Sequence, residues 1–396
     1  MEYFIILIYL IFLVFWFDIR EKTDYKKTNY YILLIIFILF AGLRYRIGGD
    51  TMTYMYNFDT VMVDLNKLTL SDLTETRYQP LCVLLFSLSK SCGDNFFVFQ
   101  IIAAAITNIS IFNFFSKVCT KYFTSITIYF ICNYIYFNME IMREAMALSM
   151  LLYGFLALGE NKFVKFYLFV LFAYLFHPFA AIIGIAPFFT TSKISLKIKL
   201  IAIVGLSCFM FVINLNEFIF IKLLPYLPIQ VISDTIDMYA DNDAATTSFF
   251  SFKGLLVVLA SFPFLAIFVY KYKLIYNKGL IMMKRDVFLS LLFLYIIFVL
   301  ISVQIPIAKR ITNYLWCFSA VAIGSLFFEV NYRNLFSKVM VLFSAFVIMV
   351  AWQIRIYSHE QDSFPLYVNY YPYYSVFSKE ISYEREIAHN IWKINQ

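Results

Sequence analysis

Three separate stretches of this chain place an arginine at the edge of a long apolar run, and a fourth places a histidine there. The first reads Arg44-Tyr45-Arg46-Ile47-Gly48-Gly49-Asp50-Thr51, with Tyr54 close behind. Guanidinium groups are planar, permanently charged and able to hold phosphate oxygens in pairs, while glycine lets the backbone come close to a ligand. An outer-leaflet phosphate or pyrophosphate is therefore a fitting target. The second stretch is Asn138-Met139-Glu140-Ile141-Met142-Arg143-Glu144-Ala145, the third Phe176-His177-Pro178, and the fourth Ala308-Lys309-Arg310-Ile311-Thr312-Asn313-Tyr314. Taken together, these charged groups at the ends of apolar runs are candidates for a functional site.

Each stretch also has a plainer reading. Arg44 and Arg46 suit the headgroup end of a membrane helix. Glu140, Arg143 and Glu144, spaced i, i+3 and i+4, are expected on one helical face, where they either reach a common pocket or form a self-satisfied ion pair. Arg310 and Tyr314, at i and i+4, share a face by the same rule. His177 is either a base or a hydrogen-bonded helix end. In the tail, Tyr367, Tyr370, Tyr371, Tyr373 and Tyr374 offer flat faces and hydroxyls for sugars, or an interfacial aromatic belt. Asp241-Asn242-Asp243 offers a carboxylate pair for a divalent cation, or an ordinary acidic loop. No phosphate-binding glycine loop, serine-hydrolase elbow, HExxH or paired CxxC occurs. The six cysteines lack metal-ligand spacing and read as small core residues. Neither a metal nor a cofactor is expected.

The elements that must position these residues follow from composition. Of 396 residues, 62% are hydrophobic and only 14% charged, which excludes a water-soluble domain, a disordered chain and a cytosolic nucleic-acid binder. At about 20 residues per span the apolar content suffices for about twelve membrane helices. Candidate spans lie at 3–17, 30–43, 95–116, 122–138, 140–159, 163–176, 178–191, 197–215, 253–270, 286–305, 310–329 and 336–354. The first is read as a retained helix, because no basic n-region or small-residue cleavage site accompanies it. Pro178 marks a break between two short helices or a kink in one re-entrant element. The expectation is an all-α polytopic membrane protein forming a single transmembrane domain over 1–396.

Orientation comes from charge. With the N-terminus outside, the loops 18–29, 117–121, 160–165, 192–199, 271–286 and 329–338 face inward and hold 18 Lys and Arg against 6 Asp and Glu. The rest of the chain holds 14 against 19, so the overall +7 divides into +12 inside and −5 outside. This division requires 78–92 to lie flat on the outer surface, since a crossing there would invert every later loop. Three outer segments, 44–94, 216–252 and 355–396, are long enough to carry function.

In order along the chain, these motifs resemble the EpsG-like, Wzy-type family of exopolysaccharide and O-antigen polymerases. The resemblance rests on Gly42 through Thr51 with Tyr54, on Tyr78-Gln79-Pro80-Leu81, on Met142-Arg143-Glu144-Ala145-Met146-Ala147, on Phe176-His177-Pro178-Phe179-Ala180, on Arg310 with Tyr314, and on Tyr371-Pro372-Tyr373. The chain departs from the family pattern at Gly49, where threonine is commoner, at Glu144, where glutamine is usual, and at Pro178-Phe179.

The resemblance implies a membrane glycosyltransferase of the glycosyltransferase-C kind with juxtamembrane helices in its first outer loop. The active site would face away from the cytoplasm, and the substrate would be an undecaprenyl-pyrophosphate-linked oligosaccharide held among membrane lipid. A separate chain-length regulator protein is the expected partner; nucleic acid is not. On this reading Arg44, Arg46, Arg143 and Arg310 bind pyrophosphate, His177, Asp50 or Glu140 supplies the base, and Tyr54, Tyr314, Tyr371 and Tyr373 hold sugars. The alternatives are a lipid-linked oligosaccharide flippase or exporter, which needs cations near mid-membrane, and a membrane O-acyltransferase acting on polysaccharide, which needs a cytoplasmic route for its acyl donor.

Overall fold

The computed structural model describes residues 2–74, 76–191, 196–212, 261, 264, 268–305, 307–330, 332, 334–361 and 364–394. Helices dominate: α1 Glu2–Leu13, prolonged by a π-helical turn to Ile19, α2 Lys26–Gly42, α3 Gly49–Thr60, α4 Leu70–Thr74, α5 Pro80–Ser91, α6 Phe96–Val118, α7 Tyr122–Cys132, α8 Met142–Gly159 and α9 Phe163–Tyr174. After these come α10 Ala186–Thr191, α11 Leu196–Val212, α12 Arg285–Ile301, α13 Ala308–Glu329, α14 Leu335–Tyr357 and α15 Tyr383–Ile394. Among the described residues the strands are two residue pairs, Glu360–Gln361 and Phe364–Pro365. Among the described residues five helices, Glu2–Ile19, α6, α8, α13 and α14, are long and apolar enough to cross a membrane. The segment 216–252 expected to lie outside, its Asp241 and Asp243, and most of the span expected at 253–270 lie outside the described residues.

Local chemistry sets the helix boundaries. Asn95 begins α6 by accepting the Phe97 amide at 3.0 Å, and Asn334 begins α14 by accepting that of Ser337 at 2.8 Å. Pro80 opens α5 at a position where its missing N–H costs nothing. With 12 residues, α5 is about 18 Å long, too short for a hydrocarbon core of about 30 Å. It packs on α6 through Phe86, which stacks on Phe99 with 4.1 Å between ring centroids. The break expected near Pro178 is real: α9 stops at Tyr174, His177 is extended, and a 3₁₀ helix runs over Pro178–Ile185.

At one end of the bundle the lysine-bearing loops converge. Thr120 donates its amide to Leu280 O at 3.2 Å, and Met282 donates to Val118 O at 2.8 Å, tying 117–121 to 271–286. Asp18 accepts from the Thr124 amide and hydroxyl at 2.7 and 2.8 Å, so the end of α1 joins them.

At the other end, the segment expected to form the first outer loop folds as α3, α4 and α5, and the chain's tail folds over it. Tyr45 donates to Tyr374 O at 2.8 Å, Gly48 to Asn369 O at 2.9 Å and, in return, Val376 to Leu43 O at 2.9 Å. Arg385, fully buried, fastens this strap by donating to the carbonyls of Val368, Arg46 and Pro372 at 2.9, 3.1 and 2.7 Å.

Candidate functional site

The site is built on the turn between α7 and α8. Inside the bundle, Asn108, Tyr129 and Asn138 form a closed ring of hydrogen bonds: Asn108 Nδ2 donates to Asn138 Oδ1 at 2.8 Å, Asn138 Nδ2 to Tyr129 Oη at 2.8 Å, and Tyr129 to Asn108 Oδ1 at 3.1 Å. A fully satisfied buried network of this kind specifies one arrangement. It anchors the π-helical turn Tyr136–Glu140, after which Ile141 breaks the helical course and α8 starts afresh at Met142.

That break undoes the expectation that Glu140, Arg143 and Glu144 share a helical face, because Glu140 belongs to the preceding turn. Each goes to a different partner. Glu140 accepts the amides of Gly49 and Asp50, both at 2.9 Å, and the Tyr370 hydroxyl at 2.6 Å. A carboxylate on the first N–H groups of α3 satisfies orphan donors and complements the helix dipole. Glu144 accepts from Asn313 Nδ2 at 2.7 Å, linking α8 to α13. Arg143 donates to Tyr54 Oη at 3.3 Å and to Gln79 Oε1 at 3.2 Å, with its guanidinium 4.9 Å from the Tyr78 ring centroid.

Gly48 decides how closely this turn meets α3. Its φ is +98°, and an added Cβ would sit 2.1 Å from Met139 O. Only glycine tolerates both the angle and the approach. The neighbouring Thr51 hydroxyl donates to the same carbonyl at 2.6 Å.

Two of the four arginines proposed for pyrophosphate prove to be enclosed by protein or paired with it. Arg44 is 0% exposed and donates to Ala41 O, Ile47 O, Thr51 Oγ1 and Met142 Sδ, so it ties the end of α2 to α3 and α8. Arg46 makes a two-pronged pair with Glu386, both contacts at 2.6 Å, and belongs to the tail strap. Spacing alone could not reveal this, since the partners are remote or are backbone carbonyls.

Arg310 and Tyr314 do lie on one face, and both meet His177. Arg310 Nη1 is 3.1 Å from His177 Nε2, and the Tyr314 hydroxyl is 2.6 Å from Nδ1. A guanidinium can only donate, so Nε2 accepts and carries no proton. The proton of the neutral imidazole then sits on Nδ1 and is donated to Tyr314. The Arg310 guanidinium also lies 5.8 Å from the Phe179 ring centroid.

Asp50, in the first turn of α3, faces a cavity of about 610 Å³. Lys309, Asn313, Tyr136 and Tyr370 also line it, as do Tyr357 of α14 and Asn369 of the tail. Burial first, and the nearby Glu140 carboxylate second, push the Asp50 carboxyl up to about 7, against the opposing charges of Arg143, Arg310 and Arg77. The charges of Arg143 and Arg310 also reach His177. Asp50, Arg143, His177 and Arg310 therefore form one electrostatic group drawn from four separate stretches.

The tyrosines divide differently from expectation. Tyr54 and Tyr314 stand at the group, bonded to Arg143 and His177. Tyr373 instead stacks on Phe40 of α2 at 4.4 Å and donates to its carbonyl at 2.9 Å, so its hydroxyl is spent on packing. Tyr371 is 53% exposed. Tyr370 is the tail tyrosine at the cavity: in a run of five tyrosines with the same promise for sugars, nothing local distinguishes the one that meets Glu140. Lys309 and Asn313 flank Arg310 within one helical turn and also reach the cavity, while nothing in the local sequence marks Arg385 as the fastening of the tail.

No curated protein and no solved structure matches the chain. The EpsG family matches residues 27–375, a stretch that contains every element of the group from α3 to α13 and the first part of the tail, and the chain belongs to the EpsG family.

Proposed function

We propose that this membrane protein, of the polysaccharide-polymerase type its family suggests, extends a glycan carried on undecaprenyl pyrophosphate, working at the outer face of the bacterial inner membrane within a fold of about twelve spans of the glycosyltransferase-C kind. The anomeric C–O bond to the carrier breaks, and the pyrophosphate departs with the electron pair. A new bond forms from the terminal hydroxyl of a second lipid-linked repeat unit to the anomeric carbon, and the hydroxyl proton passes to a base.

The observation that carries this reading is the gathering of Arg143, Arg310, His177 and Asp50 from distant parts of the chain. Arg143 and Arg310 receive the leaving pyrophosphate, whose charge grows as the bond breaks in a partly desolvated place. Asp50 takes the proton, since a carboxyl titrating near neutrality beside an open cavity suits a base. His177 positions Arg310, Tyr54 positions Arg143, and the cavity lined by Tyr136, Tyr357 and Tyr370 holds acceptor sugar. Glu140 serves as the clasp of α3 rather than as a base. Arg44, Arg46 and Tyr373 hold the outer layer together.

A flippase would place such cations near mid-membrane. Here Arg143 and Arg310 stand in the first turns of α8 and α13, at the end opposite the lysine loops, which favours the polymerase. Complementation of a null strain with Arg143→Ala and Arg310→Ala, reading the length of lipid-linked glycan, tests the proposal. Short, unpolymerised repeats on the outer face are expected. Long chains from both variants would end it, and so would single repeats trapped on the cytoplasmic face in the null strain.

A further inference from the structure

The end of the bundle opposite the group carries a second cavity, of about 460 Å³, that the polymerisation chemistry does not use. Lys22, Lys26, Lys121, Lys278 and Lys338 line it with one carboxylate, Glu21. They come from four stretches of chain that only the fold brings together. Most of the ammonium groups are held by something other than an acid. The Lys26 Nζ lies 4.6 Å from the Tyr122 ring centroid, while Lys338 and Lys121 approach the Phe328 ring at 4.6 and 5.3 Å. Lys278 donates to the Glu329 carbonyl at 2.6 Å. Rings and carbonyls fix where these lysines point; among the described residues Lys121 is the one of the five in an ion pair, with Glu21, while the buried Asp18 offsets part of the charge of Lys26, Lys121 and Lys338.

Five lysines against Glu21 in the lining and the buried Asp18 behind it leave the cavity with net positive charge, which suits an anionic guest carrying phosphate. What lies beside the cavity says which kind. Lys338 stands in the first turns of α14, and Val341, Ile348 and Trp352, spaced i+3, i+10 and i+14 from it along one helical stripe, are exposed apolar residues, Ile348 the most at 68%. A phosphate seated among the lysines would have an acyl-compatible strip running directly away from it. We propose that this pocket holds the headgroup of an anionic phospholipid, with its acyl chains along α14. The inference needs only the membrane setting of the chain and not the reaction at the other end.

Full-length protein in detergent, titrated with phosphatidylglycerol or phosphatidylcholine and followed by native mass spectrometry, tests it. Wild-type protein is expected to retain phosphatidylglycerol and release phosphatidylcholine. Lys121→Gln with Lys338→Gln should weaken phosphatidylglycerol binding by roughly 10- to 30-fold, the effect of removing two lysines near a phosphate, whereas Lys121→Arg with Lys338→Arg should retain it. A thermal melt of each variant separates lost binding from lost folding. Equal retention of both lipids, or equal binding by wild type and a folded glutamine variant, overturns the proposal. Inorganic phosphate or pyrophosphate is the second arm: if either binds the lipid-free protein with the same lysine dependence and displaces phosphatidylglycerol, the guest is a soluble anion and the lipid assignment fails.

Discussion

Arg310 holds the Nε2 lone pair of His177 at 3.1 Å, and Tyr314 receives the proton on Nδ1 at 2.6 Å, so the imidazole is engaged on both sides by residues one helical turn apart. In this arrangement His177 orients a cation. It becomes a free base only if Arg310 turns away.

Arg310→Ala should therefore lower polymer formation by about 10²- to 10³-fold, the scale of losing one preorganised donor to a developing charge. His177→Gln, which can still accept from Arg310 through its amide oxygen, should keep more activity than His177→Ala. Turnover assays in membranes give the comparison, and equal loss in both histidine variants would show that the imidazole itself does the chemistry.

Arg44 and Arg143 should fail in different ways. Removing Arg44, buried on the Thr51 hydroxyl, two carbonyls and Met142, leaves those acceptors unsatisfied and is expected to cost about 2–4 kcal/mol and to deplete folded protein from the membrane. Arg143→Ala should leave yield and melting temperature near wild type while abolishing long chains. Detergent melts beside glycan gels distinguish the two, and a stable, inactive Arg44→Ala would return that arginine to the substrate.

Gly48→Ala combines a φ of +98° with a 2.1 Å approach to Met139 O, so the turn must open. The expected loss is on the order of 3 kcal/mol or more. It should appear as a lowered melting temperature even without substrate; an unchanged melt would mean that the contact between α3 and the 136–140 turn contributes little.

The Asp50 carboxyl is raised to about 7, so its carboxylate form, the one able to take a proton, accumulates as pH rises through that value. Polymerisation rate should climb over the same window, and Asp50→Asn should flatten the climb while costing roughly 10²- to 10⁴-fold. The same shift has the opposite sign for stability. A carboxyl whose folded pKa lies above its unfolded value stabilises fully at low pH and loses that contribution as pH rises through about 7.

Orientation is checked by single cysteines in a cysteine-free background. A membrane-impermeant thiol reagent applied from outside should label position 67 and miss position 278; labelling at 278 would invert the topology.

The local pattern of the chain determined a good deal by itself. Apolar runs marked the helices, because a membrane core demands length and hydropathy that can be counted along the chain. The i, i+4 spacing placed Arg310 with Tyr314, and Pro178 marked a real break, because both are short-range effects of one backbone. Tertiary structure decided which charges face a cavity. Arg44, Arg46 and Arg143 look alike in sequence; only distant partners, Thr51 with Met142, Glu386, and Tyr54 with Gln79, separate a buried tie from a strap and from an arginine at the site. Glu140 left its expected face because the chain breaks at Ile141, and Tyr370 rather than Tyr373 reached the cavity because Phe40 claimed the latter. Spacing along the chain is a property of neighbours, whereas the fate of a charge depends on whichever remote groups the fold brings within hydrogen-bonding distance.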